Sequence, residues 1–251
     1  MPAIDPSKAP IALIPARGGS KGIPSKNLQR IGGTSLLART IRAAQDSSRL
    51  GGVVVSTDDN TIAHEACEAG ASVVERPPAL AGDTASSESA LIHTLTKLAE
   101  ATPLPPAFVF LQCTSPFTTG SQIDRVLGEL LASEANLAFA VTPWHGFLWN
   151  LDDHGWGRGV NHDASLPRQR RQDLTPTYLE TGAIYALRTA AFLAMGNRFV
   201  PPLRPVVIEA PAPEIDSPAD LALCRQLAPL LDGPGVRGSV LDHPPGGDQA
   251  G

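Results

Sequence analysis

Arg17, Lys21 and Lys26 lie within one short stretch suited to gripping an anion. Leu13 to Gln29 reads L-I-P-A-R-G-G-S-K-G-I-P-S-K-N-L-Q, with three glycines, two prolines, one arginine and two lysines. Glycines let backbone N–H groups approach an anion closely, and the cations supply countercharge. The apolar run Ile11–Ile14 before it reads as a strand, and the loop at a strand's C-terminal end is where α/β proteins hold phosphates. Between Asp5 and Asp46 there is no acidic residue, whereas Arg17, Lys21, Lys26, Arg30, Arg39 and Arg42 all fall in that window. On a chain of formal net charge -5, this is a local cationic well, which argues against a merely solvated basic turn. It suits a small polyanion and not nucleic acid, which calls for a broad basic face. The loop is neither of the two common phosphate motifs. Gly18 to Gly22 leaves three intervening residues where a Walker A loop needs four, and Pro24 disfavours the immediate helix of a dinucleotide fingerprint.

Two carboxylates late in the chain are candidate metal ligands. Glu214 and Asp216 sit at i and i+2 of E-I-D-S-P-A-D, so on an extended segment they face the same way. A Mg²⁺ ion typically takes one or two carboxylates and shares its shell with water and substrate phosphates. The competing reading is a helix start, with Ser217 as N-cap, Pro218 at the first position and Asp220 three residues after the cap. The readings are compatible, since a firm cap would hold the ligand segment in place. Gln112, at the end of an apolar run, is placed where open sheets bind ligands, and its amide suits a sugar hydroxyl or carboxylate. Cys113 beside it reads as a small packed residue rather than a nucleophile. Arg168, Arg170 and Arg171 form a cationic group suited to bidentate pairing with a carboxylate or phosphonate.

The elements that must position these residues alternate. Strands are expected over 53–56, 72–74, 108–111, 137–141, 183–187 and 206–208, and helices over 35–45, 60–69, 86–100, 121–132, 189–194 and 219–231. Such alternation means an α/β fold with a mostly parallel sheet covered on both faces. The stretch 144–181 is polar and weakly patterned, and its Trp144, Trp149 and Trp156 are the three tryptophans of the chain. A loop that long needs a reason: it either packs on another subunit or closes over the substrate. With 251 residues, 42% hydrophobic and 18% charged, the chain can bury one substantial core. The three cysteines are dispersed, which points to reduced thiols, a cytoplasmic location and no zinc site. No secretion signal and no membrane-spanning run is evident, and 1–9 and 232–251 read as flexible tails.

The loop resembles the signature of the CMP-sialic acid synthetases, the acylneuraminate cytidylyltransferases. That family carries A-R-x-x-S-K-G-x-P-x-K-N, and Ala16, Arg17, Ser20, Lys21, Gly22, Pro24, Lys26 and Asn27 match every fixed position. Further similarities lie in V-V-V-S-T-D-D (53–59), Glu75-Arg76-Pro77, G-D-T-A-S-S (82–87), F-L-Q-C-T-S-P (110–116), R-R-Q-D (170–173), E-T-G-A-I-Y (180–185) and E-I-D (214–216). The resemblance implies a Rossmann-like, three-layer (GT-A-like) nucleotidyltransferase fold over 10–231, with an inserted dimerisation arm at about 144–181. It implies a homodimer whose arm reaches the partner's active site. It also implies Mg²⁺-dependent transfer from CTP to a small anionic acceptor such as a sialic-acid-like nonulosonic acid, with no membrane partner.

By the same resemblance, Ala16, Arg17, Gly18, Ser20, Lys21, Lys26, Asn27, Arg76, Asp83 and Ser87 would bind nucleotide. Gln112, Arg168, Arg171, Gln172 and Tyr185 would bind acceptor, and Asp216 with Glu214 would hold metal. Arg17 and Lys21 would stabilise the departing pyrophosphate, so that Arg17, Lys21 and Asp216 carry catalysis. Simpler readings stand beside several of these. Thr57 and Asp58 can end a strand and cap a helix, Asp83 to Ser87 can be an N-cap cluster, and Arg76 can be an exposed arginine in a rigid turn. The acceptor side departs from the family. Thr118 stands where relatives have arginine in S-P-L-R-T, Thr181 replaces an asparagine, and His145–Trp149 lacks a lysine found in bacterial relatives. A cytidylyltransferase for another nonulosonate or a phosphonate, and a non-catalytic nucleotide binder of the same fold, are the alternatives.

Overall fold

A computed structural model describes residues 9–168, 170 and 173–232. Its centre is a seven-stranded sheet. The half that matters for the anion loop is parallel: β1 (Ile11–Pro15), β4 (Val53–Thr57), β5 (Ser72–Glu75) and β6 (Ala107–Leu111). β10 (Thr177–Arg188) runs antiparallel between β6 and β7 (Leu137–Trp144), and β11 (Leu203–Val207) pairs parallel with β7. The expected α/β architecture is therefore present, with one strand reversed.

Alternation along the strands sorts side chains to two faces with different partners. Ala12, Ile14, Val55, Val109, Ala138, Ala140 and Ala186 face α1 (Leu36–Gln45), α2 (Asn60–Glu68), α4 (Gly120–Leu131) and α6 (Pro218–Leu231). Several alanines on that face give the helices room to lie close. Leu13, Phe108, Phe110, Phe139 and Tyr185 face α3 (Ser87–Ala99) and α5 (Thr189–Met195), where aromatic volume fills the layer. Ser35, Asp59, Ser86, Thr119 and Ser217 cap α1, α2, α3, α4 and α6 with their side chains, which fixes where each helix begins. Asp59, not Asp58, caps α2.

Two small hairpins complete the described chain. β2 (Arg30–Ile31) pairs with β3 (Thr34–Ser35) across Gly32 and Gly33, whose φ angles of 57° and 79° are left-handed. The 144–181 stretch is more regular than its composition suggests. β7 runs to Trp144, β10 begins at Thr177, and the two pair from Thr177↔Trp144 to Glu180↔Val141. Beyond them β8 (Trp149–Leu151) pairs with β9 (Gly157–Gly159). The base of the arm is thus an extension of the main sheet through β7 and β10, and β8 with β9 forms a separate two-stranded sheet.

Arg39 ties α1, α6 and the loop after β6 together. It donates to Pro116 O at 2.9 Å and to both Asp232 oxygens at 2.8 and 2.5 Å. Since α6 starts two residues after Asp216, with Ser217 as the cap between them, this latch at its far end steadies the segment that carries the two carboxylates. Of the tails expected at 1–9 and 232–251, residues 1–8 and 233–251 lie outside the described residues, while Asp232 is the partner of Arg39 and not part of a tail.

Candidate active site

The anion loop leaves β1 at Pro15 and crosses the C-terminal edge of the parallel strands. Ala16, expected to bind nucleotide, is instead 0% exposed and gives its N–H to Ser56 O at 2.9 Å, so it anchors the root of the loop and offers a ligand nothing. Gly18 donates its N–H to Asp58 Oδ1 at 3.0 Å, and a Cβ there would lie 2.7 Å from Asp59 Oδ2 and 2.8 Å from Asp59 Cβ. The glycine is required because the loop runs hard against the start of α2. Asp58 thereby has a task beyond ending β4: it anchors the loop. Asn27 donates to Arg17 O at 3.0 Å and closes the loop on itself.

Between this loop and the N-terminus of α3 lies a pocket of about 260 Å³ lined by Pro15, Arg17, Ser20, Lys26, Asn27, Arg76, Ala85, Ser86 and Ser87. Six of the residues assigned to the nucleotide from sequence, Arg17, Ser20, Lys26, Asn27, Arg76 and Ser87, meet here. A helix N-terminus adds partial positive charge to the same space. Arg17 is braced by Gly82 O at 2.9 Å and lies 3.5 Å from Asp83 Oδ1. Arg76 is buried instead of exposed, and it donates to Ser56 through both Nε and Nη2. Burial pulls its pKa down, with the Asp58 carboxylate opposing. Lys21 and Asp83 are outside the lining and pair with each other at 2.9 Å. Asp83 is held below its ordinary pKa chiefly by the hydrogen bond from Lys21. It is not the cap of α3, which is Ser86.

A second group forms where β6, β10 and the segment before α6 converge. Gly182 has φ +67°, and a methyl there would meet Glu214 Oε1 at 3.0 Å and Gln112 Oε1 at 3.3 Å. Gln112 and Glu214 are thus neighbours across a glycine that leaves them room. Thr114 Oγ1 donates to Glu214 Oε1 at 3.3 Å. Burial first, then the Asp216 and Glu180 carboxylates, raise the pKa of Glu214. Asp216 is exposed and accepts from Lys26 Nζ at 2.9 Å, which links this group to the pocket. The helix start is as read: Ser217 and Asp220 form a reciprocal capping box, and Asp220 Oδ2 also accepts from the Asp216 N–H at 3.1 Å. Among the described residues no group of three or more His, Cys, Asp and Glu forms a metal site. Glu214 and Asp216 still suit a hard divalent cation that takes two carboxylates and completes its shell with water and phosphate. The crowding of negative charge around Glu214 is a physical reason for a cation to settle there.

Tyr185 requires a correction. It is 2% exposed, stacks with Phe110 and Phe139 at 5.4 and 6.4 Å, and gives its hydroxyl to the Glu180 carboxylate. Burial and then Glu180 raise its pKa. It supports the site wall, whereas Glu180 is the exposed group at the end of that contact. Arg198, missed in the sequence, lies over the Phe110 and Tyr185 rings at 4.8 and 4.9 Å and pairs with Glu88 at 2.5 Å. No local pattern could have exposed this pair, because its members are 110 residues apart. Cys113 is buried, and desolvation pushes its thiol up to about 12, as expected of a packed residue.

Arg168 stacks over Phe147 at 4.2 Å within the arm, and Arg170 pairs with Asp173 at 2.7 Å. Arg171 and Gln172 lie outside the described residues. Thr118 and Thr181 give their hydroxyls to Ser115 O and Ala140 O at 3.0 and 3.1 Å, beside a narrow crevice of about 20 Å³. A wider hollow of about 410 Å³ opens near Arg42, Asp46 and Ser121, but Arg39 on its wall is already neutralised by Asp232.

A family model described as cytidylyltransferase matches residues 11–200. An N-acylneuraminate cytidylyltransferase of Oncorhynchus mykiss is 34% identical over 69% of this chain, which spans 40% of that protein's length. A CMP-N,N'-diacetyllegionaminic acid synthase of Legionella pneumophila is 30% identical over 88% of this chain and 96% of its own. A CMP:2-keto-3-deoxy-manno-octonic acid synthetase solved with CTP superposes with TM-score 0.66 at 18% identity, covering 89% of this chain and 99% of that one.

Proposed function

The chain belongs to the cytidylyltransferase family, and from that premise we propose that it joins CTP to a nonulosonic acid, releasing pyrophosphate and leaving a CMP-linked acid. The observation that carries this reading is the pairing of two sites: the 260 Å³ cationic pocket and, one lysine away, the Gln112–Glu214–Asp216 group. Arg17, Ser20, Lys26, Asn27 and the N-terminus of α3 hold the nucleotide. Arg76 underpins the pocket floor from its bonds to Ser56. Gln112 orients the acceptor, whose hydroxyl oxygen attacks the α-phosphorus and gives up its proton to water, while the bond to the bridging oxygen breaks and pyrophosphate leaves with the electron pair.

Arg17 and Lys21 stabilise the pyrophosphate that departs. Lys21 can do so because it is 78% exposed and is held only by a surface pair to Asp83. Positioning and charge neutralisation carry the rate, since the protein has little covalent chemistry to perform. Glu214 and Asp216 would hold Mg²⁺, which when bound supplies charge neutralisation to the phosphates.

We further assign 10–231 as the transferase domain and the 144–181 arm as the contact of a homodimer. Trp149, Leu151, Trp156, Leu166 and Tyr178 are all at least half exposed on that arm, and interfaces are enriched in aromatic groups. The free thiols of Cys67, Cys113 and Cys224 support a cytoplasmic location. Among the described residues no helix is long and apolar enough to cross a membrane.

The Legionella relative, matched almost end to end, favours a second acceptor, a diacetylated legionaminic-type acid. CTP-dependent pyrophosphate release with Mg²⁺ tests both readings across a panel of N-acetylneuraminate, N,N'-diacetyllegionaminate and small phosphonates. Turnover with at least one nonulosonic acid is expected. No release with any of them overturns the assignment, and a preference for phosphonates overturns the acceptor class.

A further inference from the structure

Lys26 belongs to both halves of the site at once. It lines the nucleotide pocket, yet its ammonium is given to Asp216 Oδ1 at 2.9 Å on the segment that precedes α6. Its root is firmly set. Ser25 takes a left-handed conformation at φ +48°, opening a 3-10 turn Lys26–Leu28 in which Leu28 N–H donates to Ser25 O at 2.9 Å. The adjoining Asn27 is bonded to Arg17 O. The freedom that remains is in the four-carbon stem of the lysine. Its side chain is 15% exposed, so its charge needs a counter-ion nearby. Asp216 is 72% exposed, so solvent cations reach the same carboxylate. An ammonium carries three N–H donors, and the bond to Asp216 uses one of them. A monovalent and a divalent cation on one carboxylate repel each other.

We propose that the Lys26 ammonium is a place-holding cation. It neutralises Asp216 while no divalent ion is bound, leaves the carboxylate when one arrives, and then turns its donors to the phosphate oxygens of the nucleotide. The proposal rests on the reading of Asp216 as a metal ligand given above. It makes metal and nucleotide mutually supportive, because each favours the same position of Lys26, and such coupling is reciprocal. A permanent ion pair stapling the loop to the α6 segment would have the opposite consequence, since losing the lysine would then loosen Asp216.

The test is direct Mn²⁺ binding, followed by electron paramagnetic resonance, to the nucleotide-free full-length protein and to Lys26→Met, Lys26→Arg and Asp216→Asn. Lys26→Met should bind Mn²⁺ about fivefold or more tightly than wild type, the lower end of couplings between linked sites. It should also lose the gain in Mn²⁺ affinity that CTP gives wild type. Lys26→Arg keeps the cation and should follow wild type. Equal or weaker Mn²⁺ binding by Lys26→Met, with binding lost in Asp216→Asn, overturns the proposal and leaves the metal reading intact. Wild-type binding by Asp216→Asn removes the metal reading and the proposal with it.

A second measurement needs no variant. Amine labelling of Lys26 in wild type, followed by peptide mass mapping, should rise on adding Mg²⁺ alone and fall when CTP is added as well. Labelling that Mg²⁺ leaves unchanged or lowers overturns the exchange.

Discussion

Gly182→Ala separates what the site needs for stability from what it needs for chemistry. Gly182 sits at φ +67°, a left-handed conformation that costs an L-residue about 1–2 kcal/mol. Alanine returns about 0.4–1 kcal/mol by restricting the unfolded chain, so the net loss is about 1 kcal/mol. For a chain of this size, that lowers the melting temperature by about 2–4 °C. The new methyl would also stand 3.0 and 3.2 Å from the Glu214 oxygens and 3.3 Å from Gln112 Oε1. Those atoms are the tips of rotatable side chains, so they yield at little cost to stability, but they yield by moving. Misplacement of a reacting group by about 1 Å can cost about 100-fold, and a shift of a few tenths of an ångström should cost about tenfold.

The assay is pyrophosphate release under varied acceptor and varied CTP, alongside thermal denaturation. At saturating Mg²⁺, so that a weakened Glu214 ligand does not limit metal occupancy, the specificity constant for acceptor should fall about tenfold while KM for CTP changes less than about twofold, because the nucleotide pocket is lined by other residues. Gly182→Asn sharpens the distinction. Asparagine tolerates the left-handed region better than alanine, yet it is bulkier toward Glu214. Its melting temperature should therefore lie nearer wild type and its turnover below that of Gly182→Ala. Unchanged acceptor kinetics in Gly182→Ala, or recovery of turnover in Gly182→Asn, refutes the reasoning.

Four further outcomes follow from the same structure. Lys21→Ala should cut turnover by about 100-fold, as removal of a transition-state donor does, and leave the melting temperature unchanged; wild-type release would sink its assigned role. Arg198→Met should cost about 2 kcal/mol, less than the 3–5 of a fully buried pair because its side chain and that of Glu88 are 14% and 19% exposed. Burial alone would raise the Glu88 pKa, but the Arg198 hydrogen bond, with backbone and Ser86 help, holds it below its ordinary 4.5. A carboxylate with a lowered folded pKa stabilises fully above its unfolded value and loses that contribution as acid titrates the folded form. The penalty of Glu88→Gln in chemical denaturation should accordingly be constant above about pH 4.5 and shrink below it; a penalty constant into acid contradicts the ion pair. Sedimentation should find a dimer at micromolar concentration, and a monomer there would remove the arm's assigned role.

The fold was legible wherever burial imposes a period. The six expected helices and seven expected strands all overlap α1 to α6 and β1, β4, β5, β6, β7, β10 and β11, although β10 begins six residues earlier than expected, because each carries an apolar face that must be covered. The arm escaped for the opposite reason. The outer ends of β7 and β10, and β8 with β9, are largely exposed, so no alternation marks them and polar composition reads as loop. The β2–β3 hairpin did carry a signal, since Gly-Gly between short β-prone pairs is a favoured two-residue turn.

The site divides along the same physical line. The half proposed for the nucleotide is mostly local in sequence: a strand, a glycine-rich loop and its lysines occupy one window, whose residue types point to anion binding, and only Arg76 and the start of α3 join from elsewhere. The acceptor half is assembled from residues far apart, and side-chain type does not reveal who faces whom. Tyr185 belongs to a recognisable element, but register turns it into the aromatic layer, and Glu180, across the irregular pairing at Gly182, takes the exposed place. Arg198 and Glu88 form an ion pair that no periodicity announces. Where recognition rests on backbone N–H groups and a fixed loop, sequence is close to structure. Where it rests on side chains converging from two strands and a helix start, only the register decides, and so the acceptor's identity falls to the substrate panel.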